Sequence, residues 1–141
     1  MDPSSFPALE GGCLCGHVRY RVRGPAISSS VCHCRSCRRA SGAPSVAWFV
    51  VPLARFEWLD ANPVERRSSL EVRRGFCNRC GTPLSYRHDD APAHIELTTA
   101  TLDDPERMPP THEIWHAEKI PWAASDAALP HFAGERPTPG A

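Results

Sequence analysis

The chain has 141 residues, 41% hydrophobic and 23% charged, the proportions of one soluble globular domain with a modest core. Its 16 basic and 16 acidic side chains cancel, unlike a general nucleic-acid binder, and no apolar run approaches the ~20 residues of a bilayer span. Lys119 is the only lysine, so the positive charge is almost entirely guanidinium, a group suited to planar anions such as carboxylates.

Residues 1–10 are expected to form a flexible start, residues 11–133 a single domain, and 134–141 (GERPTPGA) a flexible tail. The N-terminal stretch lacks the basic-then-apolar pattern of a secretory leader, so a cytoplasmic location is expected. In HVRYRV, Val18, Tyr20 and Val22 alternate with Arg19, Arg21 and Arg23, the two-residue period of a half-buried strand. RSCRRASG has the makings of two helical turns stopped by Gly42. SVAWFVV (45–51) is a continuous apolar run fit for a buried strand, and FEWL (56–59) alternates again. SLEVRRGFC (69–77) leads as a strand into a cysteine turn, and TPLSYRHD leads out of it. HIELTTATL (94–102) reads as a strand with Ile95, Leu97, Thr99 and Thr101 on one face. DDPERM (103–108) suits one turn, HEIWH (112–116) a last short strand, and ASDAALPHF a further turn before Pro130. Fifteen prolines disfavour long helices, and the fold class expected is mostly β with a few short helical turns.

Seven cysteines in a chain without a leader pattern point to metal or redox chemistry rather than a disulfide framework. GGCLCG supplies Cys13 and Cys15, VCHCRSC supplies Cys32, Cys34 and Cys37, and FCNRCGT supplies Cys77 and Cys80. CNRCG has the form of a zinc knuckle, with Gly81 where a positive φ costs little. Cys13 and Cys15 lie among glycines in a tight turn, so a closed zinc site of Cys13, Cys15, Cys77 and Cys80 is expected. Such a crosslink in a small proline-rich β domain links metal binding to folding. Cys32, Cys34 and Cys37 can then take three corners of a second tetrahedron, leaving the fourth corner to water or substrate, as in catalytic zinc sites. Spacing leaves alternatives open: disulfides between groups, a redox pair at Cys34/Cys37 or Cys77/Cys80, iron in place of zinc, or closure of the second set by His33 or His17.

GGCLCGHVRY, CHCRSCRRASG and GFCNRCGTPLSY together resemble the glutathione-dependent formaldehyde-activating enzyme family, which includes the centromere protein V group. EIWHAEKIPWAASDAALPHF is similar to that family's closing segment, so the resemblance runs from about Gly11 to Phe132. It implies a β-tent of curved antiparallel sheets pinned by zinc. It implies a structural ion on Cys13, Cys15, Cys77 and Cys80, and a second ion, associated with activity, on the catalytic set Cys32, Cys34 and Cys37. The implied reaction is that of a carbon–sulfur lyase: reversible joining of formaldehyde to the glutathione thiol, giving S-hydroxymethylglutathione.

The expected partners are therefore a small thiol, glutathione or similar, and an aldehyde, with no nucleic acid and no membrane. Zinc on three thiolates is net negative, and Arg35, Arg38 and Arg39 lie beside the trio, placed to compensate that charge or grip a substrate carboxylate. Trp48 follows the trio closely and completes the expected substrate-binding set; Phe49, Trp58, Trp115 and Trp122 are further aromatics for a pocket wall or the core. The proton needed by the product alkoxide would come from water or from one of seven histidines, His17, His33, His88, His94, His112, His116 and His131, among which spacing does not choose. A different class of function, a non-catalytic zinc scaffold acting as thiol carrier or interaction module, fits the same cysteines.

Overall fold

The computed structural model describes residues 6–137; the expectations for residues 1–5 and 138–141 lie outside the described residues. Ten strands and one short helix follow in order: β1 (Leu9–Gly12), β2 (Arg19–Val22), β3 (Ser28–Cys32), α1 (Arg35–Ser41), β4 (Val46–Pro52), β5 (Phe56–Trp58), β6 (Val64–Ser69), β7 (Val72–Phe76), β8 (Pro83–His88), β9 (His94–Thr98) and β10 (His112–Ile114). Single 3-10 turns occupy Leu53–Arg55, Thr99–Thr101, Pro105–Arg107 and His116–Glu118. The fold is mostly β, as expected. It is built as two sheets without closure into a barrel: a three-stranded sheet in the order β1-β2-β5 and a seven-stranded one in the order β10-β3-β4-β9-β8-β7-β6. No helix among the described residues is long and apolar enough to cross a membrane.

The core lies where the sheets meet. Tyr20 and Val22 of β2 are buried while Arg19 and Arg21 between them are half-exposed, the period read from HVRYRV. Those arginines reach the rim: Arg19 forks onto Asp103 at 2.8 and 2.5 Å, and Arg21 bridges Glu10 and Glu57. Phe49 and Val51 of β4, Leu84 of β8, and Ile95 and Leu97 of β9 pack into the same cluster, with Phe56 and Trp58 against its edge. Each large side chain fully buried there contributes ~1.5–3 kcal/mol. Alternation then sends Trp48 of β4 to the opposite face of the large sheet, where a second cluster holds Cys32, Cys37 and Trp48 with Tyr86 of β8 packed against it. This two-faced sheet separates structural core from candidate site.

Several elements depart from the sequence expectations. All strand pairs are antiparallel except β10 with β3, which is parallel because the chain returns to β3 through residues 99–111 rather than by a hairpin. Strand β1 begins within the stretch expected to be flexible: Leu9 and Glu10 pair with Val22 and Arg21. Its glycines hide it from a propensity reading, yet Gly11 is needed, since a Cβ there would collide with Tyr20 Oη and lie 2.5 Å from Thr101 O. β3 is serine-rich and β6 is exposed throughout, so neither carries the apolar alternation that reveals a strand. HIELTTATL stops as a strand at Thr98, where the Thr101 hydroxyl donates to Thr98 O at 2.7 Å and holds a 3-10 turn instead. ASDAALPHF contains no helix; Asp126 side-chain and backbone oxygens accept from Ala128 N and Leu129 N in one local turn. The tail is tied down at its start: Trp115 N–H donates to Gly134 O at 3.0 Å, and Trp115 Nε1–H to Glu135 Oε1 at 3.1 Å.

Candidate functional site

The seven cysteines divide as the spacing suggests. Sγ atoms of Cys13, Cys15, Cys77 and Cys80 converge within 4.8 Å of one another. Cys13 and Cys15 sulfurs stand 3.6 Å apart, and Cys15 and Cys77 sulfurs 3.8 Å. A tetrahedral zinc with Zn–S bonds of ~2.3 Å has S···S edges of about 3.8 Å, so these residues fit that ion. Both knuckles close with a left-handed glycine, Gly16 at φ 80° and Gly81 at φ 81°, whose N–H groups donate to Cys13 O and Cys77 O. Amides of Val18 and Arg79 each lie 3.3 Å from a sulfur, Cys13 and Cys77 in turn, and Thr82 reaches Cys80 Sγ at 3.1 Å. Thr82, through its hydroxyl and then its amide, draws the Cys80 thiol down to about 5. Leu14 N–H also donates to Thr82 Oγ1, joining the two knuckles across the chain.

Cys32, Cys34 and Cys37 form the second group, and among the described residues no fourth cysteine, histidine or carboxylate joins them within the same reach. Cys32 ends β3 and Cys37 sits on the buried side of α1. Cys34 is the helix N-cap: its Sγ accepts Cys37 N–H at 3.2 Å, the part a serine usually plays. Gly42, in the left-handed conformation, ends the helix after seven residues, as expected of RSCRRASG. Hydrogen bonds from Cys32 and then Cys37 draw the Cys34 thiol down to about 2, and the same contacts, with burial, push Cys32 up. Cys34 is the one half-exposed sulfur of the three. Arg74 of β7 faces Cys37, with Nη1 and Nη2 at 3.8 and 3.7 Å from its Sγ and the guanidinium 5.1 Å over the Tyr86 ring.

His33 lies between two of these cysteines but turns away from them. It is fully buried, and its Nε2 donates to Glu113 Oε1 at 2.6 Å. That separation is a hydrogen bond, shorter than the ~3.3 Å edge of nitrogen and oxygen ligands on tetrahedral zinc. His33 is therefore committed to Glu113 rather than to closing the trio, and His17 joins neither cysteine set. Glu113 also accepts from Ser125 Oγ and Asp126 N–H, at 2.9 and 2.7 Å. Burial opposes ionisation of Glu113, but the Asp126 amide, then His33 and Ser125, overcome it and hold the carboxyl below its usual range. This buried knot ties the C-terminal segment to the loop bearing the trio.

The trio opens into a cavity of about 800 Å³. Of the expected substrate-binding residues, Arg39 and Trp48 line it, whereas Arg35 and Arg38 do not. Arg35 instead gives its backbone N–H to Glu118. Trp115 is on the wall too, held at φ 53° as the only non-glycine residue with positive φ among those described. Phe49 and Trp58 are core, and Trp122 is 75% exposed. Sequence reading missed Arg74, Tyr86, Glu96, Glu118 and Glu135, all on the cavity wall. Burial, with Glu135 adding to it, pushes the Glu96 carboxyl up to about 7, and burial pushes Tyr86 up to about 12. The one signal available for Glu96 was a carboxylate inside a strand otherwise fit for burial. Of the seven histidines only His88 reaches the cavity, and it is engaged by Glu71 and Asp90.

Three comparisons bear on this geometry. The family model described as "Glutathione-dependent formaldehyde-activating enzyme" matches residues 8–118. A Halomonas elongata protein provisionally named as a glutathione-dependent formaldehyde-activating enzyme is 28% identical over 112 residues, 72% of this chain and 70% of that protein. A crystal structure of a Rhodobacter sphaeroides protein superposes with a TM-score of 0.56 at 20% identity, covering 67% of this chain and 87% of the other, which establishes a shared fold.

Proposed function

Because this chain belongs to the glutathione-dependent formaldehyde-activating enzyme family, we propose that it is a carbon–sulfur lyase that reversibly joins formaldehyde to the thiol of glutathione. The observation carrying this reading is the three-sulfur group with no fourth protein ligand among the described residues, set in the wall of an open cavity. Zinc would be held in the closed set by Cys13, Cys15, Cys77 and Cys80, and in the open set by Cys32, Cys34 and Cys37. Bound at the open set, zinc would supply the positive charge that keeps a substrate thiol ionised near neutral pH.

The chain's own residues supply the remainder. Arg74 compensates the negative charge of the trio through its contacts to Cys37. Arg39, on the same wall, is placed for a substrate carboxylate, of which glutathione has two. Trp48, Tyr86 and Trp115 give that wall apolar surface beside the trio. A cavity of about 800 Å³ is within the range that encloses a ligand of this size. Sulfur attacks the formaldehyde carbon, the carbonyl pair moves to oxygen, and a proton completes S-hydroxymethylglutathione.

Zinc analysis and exchange NMR test the reading together. Full-length protein purified without chelator should hold about two zinc ions per chain, and Cys37→Ser about one with its fold retained. Exchange between glutathione and S-hydroxymethylglutathione should run faster with wild type than without protein, and at the uncatalysed rate with Cys37→Ser. An uncatalysed rate with fully zinc-loaded wild type refutes the enzyme reading.

A further inference from the structure

Strand register places three cavity residues, Arg74, Tyr86 and Glu96, in one row with Arg66. Arg66 pairs with Arg74, Arg74 with Tyr86, and Tyr86 with Glu96, across β6, β7, β8 and β9. Directly opposed residues share a face, so Glu96 stands on the same surface as the Arg74–Cys37 contact. The nitrogens of Arg74 are occupied, two on Cys37 Sγ and Nε on Ser68 Oγ at 3.1 Å. Glu96 makes no side-chain hydrogen bond and no ion pair among the described residues, although it lines the cavity beside the trio. Leaving a partly buried carboxylate without a partner costs stability, which marks it as a group with a task.

The surrounding charges bear on what that task is. Arg74 from β7 favours its ionised form; Glu135 from the C-terminal segment and Cys34 from the trio favour its protonated form. Tyr86 and His88 of β8, Arg39 of α1 and Glu118 share the cavity, while β4 brings Trp48 to its wall and sets Val50 opposite Glu96, neither of which titrates. Tyr86 holds its proton far above neutrality, and His88 Nδ1 already accepts the Asp90 N–H. Burial brings the Glu96 carboxyl to about 7, where it both takes and gives a proton readily.

We propose that Glu96 is a catalytic residue that carries the thiol proton of the substrate to the oxygen of the product. The inference rests on the thiol–aldehyde reading above. As the thiol enters, its S–H bond breaks and the proton passes to the Glu96 carboxylate. The sulfur pair then forms the C–S bond, the C=O π pair moves onto oxygen, and the Glu96 O–H bond breaks to protonate that oxygen. The carboxylate is restored, no electrons are gained or lost, and the reverse reaction uses the same steps.

Calorimetry of glutathione binding to the zinc-loaded protein at about pH 7.5, in buffers of different ionisation enthalpy, counts protons released to solvent. Wild type should release well under one proton per glutathione, because the negative charge of the bound thiolate holds that proton on Glu96, and Glu96→Gln about one, with zinc content and fold unchanged. Exchange NMR should show kcat/KM lower by about 10²–10⁴-fold in Glu96→Gln, loss of the rise in rate through about pH 7, and partial recovery in Glu96→Asp. Equal proton release and equal rates in wild type and Glu96→Gln overturn the shuttle and leave the thiol reading standing. A slower Glu96→Gln with unchanged proton release also overturns it, making Glu96 a positioning group. No glutathione binding and no catalysed exchange in wild type overturn both.

Discussion

Glu113→Gln is the most informative single substitution away from the cysteines. Three donors converge on the native carboxylate, His33 Nε2 at 2.6 Å, Asp126 N at 2.7 Å and Ser125 Oγ at 2.9 Å, and the side chain is 2% exposed. An amide keeps one oxygen for His33 and Ser125 but turns its NH₂ toward the Asp126 N–H, donor against donor. One charge-assisted bond is lost and one buried donor is stranded, a cost of about 2–4 kcal/mol. That is a large share of the ~5–15 kcal/mol that stabilises a domain. Because Glu113 is held below its ordinary value of 4.5, its contribution is present above that pH and disappears as pH falls through the folded value. Urea unfolding of zinc-loaded wild type and Glu113→Gln should therefore differ by that amount at pH 7, with the gap closing below about pH 4.5. Both proteins carry the same cysteine sets, so acid release of zinc cancels in the comparison. A gap under about 0.5 kcal/mol at pH 7, or one that does not shrink as pH falls below about 4.5, would refute the account of this network.

Two further substitutions test other parts of the structure. Arg74→Gln removes the cation at 3.7–3.8 Å from Cys37 Sγ and should weaken zinc at the open set by about 10–100-fold, with the closed set unaffected, as read by competition with a chromophoric chelator. Equal weakening at both sets would show a general loss of folding instead. A Cβ at Gly75 would collide with the buried Ser85 Oγ, which has no hydrogen-bond partner among the described residues, and lie 3.4 Å from Pro63 Cγ. Gly75→Ala should thus cost about 1–3 kcal/mol in urea melts, and most of that cost should vanish in a Ser85→Ala background. The same cost in both backgrounds would place the strain elsewhere.

The two cysteine sets that could hold a metal were legible because their spacing is local. Cys77 and Cys80 form one turn, Cys13 and Cys15 another, and Cys34 begins the helix that carries Cys37, so spacing and the following glycines reveal each group. The strands of the inner core were legible too, since Tyr20, Val22, Ile95 and Leu97 alternate with polar neighbours. β1, β3 and β6 were not, because glycine, serine and exposed arginine carry no such alternation, and pairing with neighbours makes them strands. The same limit governs the site. Arg35, Arg38 and Arg39 adjoin the trio in the chain, but a helix spreads its side chains around an axis, and only Arg39 of the three reaches the cavity. The cation that meets the sulfur is Arg74, 37 residues from Cys37. Local spacing determined which side chains can hold an ion. Which arginine and which carboxylate line the cavity beside the trio was decided by the register of β7, β8 and β9, since cross-strand neighbours are set by pairing between distant segments and a slip of one residue would turn Arg74 and Glu96 to the other face.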